Sequence, residues 1–149
     1  MGRVARIKDQ IDSTVRPLPN IMAGNYQDHV YVEVVNNGAG PMIIKSITIN
    51  DSPKPAHIAL SEALPKGIHW RHIITSDCSG RSVPAGGKLR LVDLSSRNYT
   101  GVNKEKFGSD RDLVRQALSN ITVRVKYTDM YHKNPDATKR PLDEVFASS

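Results

Sequence analysis

Four cations stand where an alternating strand would turn them outward. Arg124 and Lys126 lie in NITVRVKYTDMY (residues 120–131), and Lys88 and Arg90 lie in KLRLVDL (residues 88–94). Residues i and i+2 of a strand share a face, so each pair occupies the outer side of its own strand. If the two strands are neighbours, the four side chains form one patch that holds phosphates or an acidic surface. Arginine would do so by a two-pronged contact and lysine as a point charge. Arg71 and Trp70, with His69, would extend the patch, the indole offering a face on which a base or ring stacks. Rows of this kind also occur as solvated charges that keep a sheet face from associating, and a single tryptophan is commonly core.

Other chemistry finds less support in the residues. His69 and His72 are three apart, so on a strand they point to opposite faces and do not converge on a metal. No metal site and no cofactor is expected. Cys78 follows Asp77 in a turn sequence with no signature of a paired base. As the only cysteine it excludes an internal disulfide and fits a reducing compartment. No G-x-S-x-G elbow and no Walker-type loop occurs; Gly38-Ala39-Gly40 joins strand to strand rather than strand to helix. Asp110 and Asp112 read as the acidic start of a helix. The chain is therefore expected not to be an enzyme, and no catalytic residue is assigned.

The stretch His29–Asn50 must position whatever the cations do. Val30, Val32 and Val34 alternate with Tyr31, Glu33 and Val35, and residues 42–50 carry four isoleucines. Between them Asn36, Asn37, Gly38 and Gly40 tolerate turn geometry and Pro41 cannot donate to a ladder. Residues 14–22, with Pro17 and Pro19, read as an edge strand or lead-in, and residues 57–64 as a helical turn. Residues 67–75 suggest a strand or irregular edge, and Pro84–Gly87 a tight turn. Ser109–Ser119 reads as a helix capped by Ser109, with Leu113, Val114, Ala117 and Leu118 buried. Residues 121–128 alternate cleanly, and residues 140–146 suggest a last short strand. These segments predict an antiparallel β-sandwich of about seven strands, with one short helix near residues 110–119.

The chain has 149 residues, a net charge of +6 and a pI near 9.6. That length suits one domain over residues 14–147, preceded by residues 1–13 as an N-terminal arm or a cationic juxtamembrane stub. No run approaches the ~20 apolar residues of a membrane span. No block of five like charges occurs, so specific nucleic-acid recognition is not expected.

Three motifs carry a resemblance. N-N-G-A-G-P-M-I-I (residues 36–44), V-P-A-G-G-K-L (83–89) and V-R-V-K-Y-T-D-M-Y (123–131) stand in that order. They resemble bacterial immunoglobulin-like β-sandwich domains that commonly follow one or two membrane-spanning helices in poorly characterised proteins. The resemblance covers most of residues 15–131. It implies an immunoglobulin-like sandwich on the cytoplasmic side, anchored at the inner membrane through a segment not present in this sequence. Its motifs are turn-and-strand signatures, so it assigns no site residues. Two functions are compatible with these readings. One is an interaction module that docks a protein partner or itself. The other is a sensor that binds a small anionic ligand, such as a nucleotide second messenger, on the basic sheet face.

Overall fold

In the computed structural model, residues 16–131 and 135–147 are described. The arm or stub expected over residues 1–13 lies outside them. Among the described residues eight strands form two antiparallel sheets. Sheet A has the order β1-β2-β6-β4, with β1 (Pro19–Asn25), β2 (His29–Asn36), β4 (His72–Ile73) and β6 (Lys88–Ser95). Sheet B has the order β5-β3-β7-β8, with β3 (Met42–Ile49), β5 (Ser82–Val83), β7 (Thr122–Thr128) and β8 (Asp136–Pro141). Val30, Val32 and Val34 of β2, Leu89, Leu91 and Leu94 of β6, Ile44, Ile47 and Ile49 of β3, and Val123 and Val125 of β7 fill the space between the sheets. Alternation produces this directly, because every second side chain of a half-buried strand points to one face.

Among the described residues three α-helices accompany the sheets: α1 (Ala56–Ala63), α2 (Phe107–Leu118) and α3 (Asp143–Phe146). The helix expected from Ser109 begins two residues earlier, continuous with a 3-10 segment (Gly101–Lys106). Ser109 does not cap it; its hydroxyl donates to the Lys106 carbonyl. Leu113, expected in the buried stripe, is 51 % exposed. The face turned to the core carries Phe107, Asp110, Val114 and Leu118 instead, since the Tyr99 hydroxyl satisfies Asp110 there. The last strand also ends earlier than expected, at Pro141. Leu142 and Phe146 are fully buried, and sinking both turns residues 143–146 into a helix. Among the described residues no helix is long and apolar enough to cross a membrane.

Asn36 ties the turn after β2 to the rest of the sandwich. It is 0 % exposed. Its Oδ1 accepts from the amides of Leu18 (3.1 Å) and Gly38 (3.0 Å). Its Nδ2 donates to the carbonyls of Gly40 (2.8 Å) and Val83 (2.9 Å). One side chain thus joins the lead-in to β1, the β2–β3 turn and β5. Gly38 packs so closely on the backbone of residues 16–18 that a Cβ would collide with it, which is why glycine is needed there.

Candidate functional site

The two cation pairs fall on different sheets. Lys88 and Arg90 are on β6 of sheet A, and Arg124 and Lys126 are on β7 of sheet B. The single four-cation patch expected from neighbouring strands therefore does not form, because the sandwich places its two outer faces on opposite sides. Trp70 and Arg71 precede β4, at the edge of sheet A. The indole is partly buried against the core, and Arg71 is exposed, its amide donating to the Asp93 carbonyl (2.8 Å). Neither reaches Arg124 or Lys126. His69 sets its ring edge-on to Tyr99, and His72 Nε2 lies 3.0 Å from the Arg90 carbonyl.

Arg90 is already occupied. Its Nε and Nη2 donate to Glu33 Oε2 (3.0 and 2.8 Å), and its Nη1 donates to Asp93 Oδ2 (2.6 Å). Asp93 Oδ1 lies 2.6 Å from His29 Nε2, and the guanidinium stacks 4.4 Å from the Tyr31 ring centroid. The Tyr31 ring in turn covers Gly24, where a Cβ would collide with it. Arg90 and Asp93 are three apart, so a regular strand would send them to opposite faces. A bulge prevents this. The register runs from Val32↔Val92 to Glu33↔Arg90, leaving Leu91 as an extra residue. Leu91 and Val92 consequently both point inward, each 1 % exposed, and Asp93 emerges beside Arg90. Burial would raise the Asp93 carboxyl, but hydrogen bonds and charge from Arg90 and His29 outweigh it and hold it below the ordinary value. The network locks β2 to β6 and offsets the Arg90 charge with two carboxylates.

The outer face of sheet B is different. Arg124 stands directly opposite Lys139 of β8 on one side and Thr48 of β3 on the other. Lys126, two residues along the same face, lies between Ser46 and Ala137. Lys45, the extra residue where the β3 register steps from Ile44 to Ser46, is exposed next to Ser46. Among the described residues none of these four cationic side chains has an ion pair or hydrogen bond, whereas Lys54, Arg111, Arg115 and Arg140 all reach carboxylates. The other described positions in register on this face, Ile43, Ser46, Thr48, Thr122, Ala137 and Pro141, include no acid, and Thr128 at its end is buried. Sequence reasoning missed Lys139 because it placed the last strand too late. The segment Asp136–Pro141, DATKRP, is polar throughout apart from Ala137 and Pro141 and carries no apolar alternation that would have marked it as a strand.

A second buried polar pair sits where α2 meets sheet A. The Tyr99 hydroxyl donates to Asp110 Oδ2 (2.7 Å), and Lys106 Nζ approaches the same oxygen (3.6 Å). Burial first, and the Asp110 carboxylate second, push the Tyr99 hydroxyl up to about 12. The folded state therefore holds this proton more tightly than the unfolded chain does. The resulting stability is present below about pH 10 and lost as pH rises toward the folded value. Tyrosinate absorbance during alkaline titration should show Tyr99 ionising last, with alkaline unfolding, and Tyr99→Phe should remove that final step.

No family model, curated protein or solved structure matches this chain. What the fold and surface define is a mainly β, two-sheet domain with one self-neutralised outer face and one unpaired cationic outer face.

Proposed function

We propose that this chain is a non-enzymatic binding module that engages an anionic partner through the outer face of sheet B. One observation carries the reading: Arg124 faces Lys139 directly across the β7–β8 ladder, with Lys126 beside them and no carboxylate at the described outward positions of β3, β7 and β8. Like charges directly opposite each other destabilise a ladder. An arrangement that opposes folding is accounted for by a partner whose negative charge relieves it. A two-fold pairing of two copies through this face would set the cations against their own counterparts, which favours a different molecule as partner. A nucleotide is the weaker alternative, because these face positions hold no aromatic ring to stack a base and Trp70 sits at the β4 edge of the other sheet.

We also read the sandwich as immunoglobulin-like. The support is the pairing order. With β1, β2, β3, β4, β6, β7 and β8 taken as the seven strands in sequence, β1-β2-β6-β4 against β3-β7-β8 follows the ABED and CFG sheets of constant-type domains. The two-residue β5 is an addition at the β3 edge.

Lys139→Glu separates binding from folding. It replaces the like-charged pair by an opposite one, worth about 0.2–1 kcal/mol in favour of the folded state, so the thermal midpoint should rise. Binding of poly-L-glutamate at low ionic strength, followed by fluorescence anisotropy, should fall sharply in the same variant. Undiminished binding by Lys139→Glu would remove sheet B as the binding face.

A further inference from the structure

Resting on the anion-binding reading of sheet B, we infer that the partner is the headgroup plane of a bilayer containing anionic phospholipid, on which sheet B lies flat. The first reason is what surrounds the cations. Protein interfaces draw their energy from a few buried aromatic or arginine anchors seated in pockets, with serine and threonine under-represented. The positions around Arg124, Lys126 and Lys139 are Ser46, Thr48, Thr122 and Ala137, a low floor with nothing to anchor. Single-stranded nucleic acid is bound with the help of aromatic platforms, which these positions lack. A duplex admits a helix or a two-stranded ribbon into its groove, and would meet a broad sheet face only along a ridge.

A charged lipid plane asks for none of these features. Basic residues near an anionic leaflet add to binding nearly independently of geometry, each by about fivefold. Four exposed, unpaired cations at Lys45, Arg124, Lys126 and Lys139 therefore suffice for a weak, reversible contact. The second reason is orientation. On the opposite face the Arg90 charge is offset by Glu33 and Asp93, so the field of a negative plane turns sheet B toward it.

The test is co-sedimentation with vesicles of phosphatidylcholine containing about one-third phosphatidylserine, against pure phosphatidylcholine vesicles. Binding is expected to the anionic vesicles only, and to fall steeply with added salt. Arg124→Gln/Lys126→Gln/Lys139→Gln should lower the partition coefficient about a hundredfold. Arg71→Gln/Lys88→Gln/Arg97→Gln removes the same formal charge from other exposed sites and should lower it by less than about fivefold. Thermal melts establish that both variants are folded. Equal losses in the two variants would overturn the proposal, since net charge alone would then explain binding. Poly-L-glutamate binding that depends on sheet B, without binding to anionic vesicles, would overturn the lipid plane and leave the binding module standing. Binding to neither probe would remove both.

Discussion

Replacing Arg90 with alanine is expected to destabilise the fold by about 3–5 kcal/mol, read as a lower urea midpoint at unchanged slope. Glu33 and Asp93 are only 7 % and 3 % exposed although they belong to the outer face of a sheet. The Arg90 guanidinium, layered against Tyr31, is what makes their burial tolerable. Without it two carboxylates remain in a poorly hydrated place with His29 as the one remaining cationic partner, and then only when protonated. Adding Glu33→Gln and Asp93→Asn to Arg90→Met removes the stranded charges and should recover more than half of the loss. Failure to recover would mean that Arg90 acts by packing on Tyr31 and not by charge.

The same network sets an acid dependence. Asp93 is held below the ordinary carboxyl value in the folded state, so its contribution is present above about pH 4 and is lost as pH falls through the folded value. The stability difference between the wild-type chain and Asp93→Asn should therefore shrink on acidification below that point. A difference that stays constant to the acid limit would show that the aspartate is not ionised in the fold.

Asn36→Ala is the second large effect, about 3–4 kcal/mol. Four backbone groups lose their partner at once: the amides of Leu18 and Gly38 and the carbonyls of Gly40 and Val83. Each unsatisfied group left out of reach of water costs about 1–3 kcal/mol, reduced here where water enters the vacated space. Asn36→Asp separates the two halves of the amide, since a carboxylate still accepts from Leu18 and Gly38 but cannot donate to Gly40 and Val83. Hydrogen exchange of the Leu18 and Gly38 amides should quicken in Asn36→Ala and not in Asn36→Asp. Equal protection in wild type and Asn36→Ala would show that the side chain does not hold this corner.

The residues on their own determined the alternating strands β2, β6 and β7 and which side chains of β6 and β7 carry charge outward. Val30, Val32 and Val34, and again Ile121, Val123 and Val125, repeat at the two-residue period of a pleated strand, and that period is local. It is why the outward positions of Lys88, Arg90, Arg124 and Lys126 were legible before any coordinates. Which strands lie side by side was not legible, because pairing is a contact between residues far apart in the chain and alternation is silent about neighbours. Tertiary structure alone put β6 and β7 in different sheets, inserted the bulge that sets Asp93 beside Arg90, and brought Lys139 opposite Arg124. Those three events decide that Arg90 is neutralised as part of the fold, while Arg124 and Lys126 stand with Lys45 and Lys139 on the outer face of the other sheet.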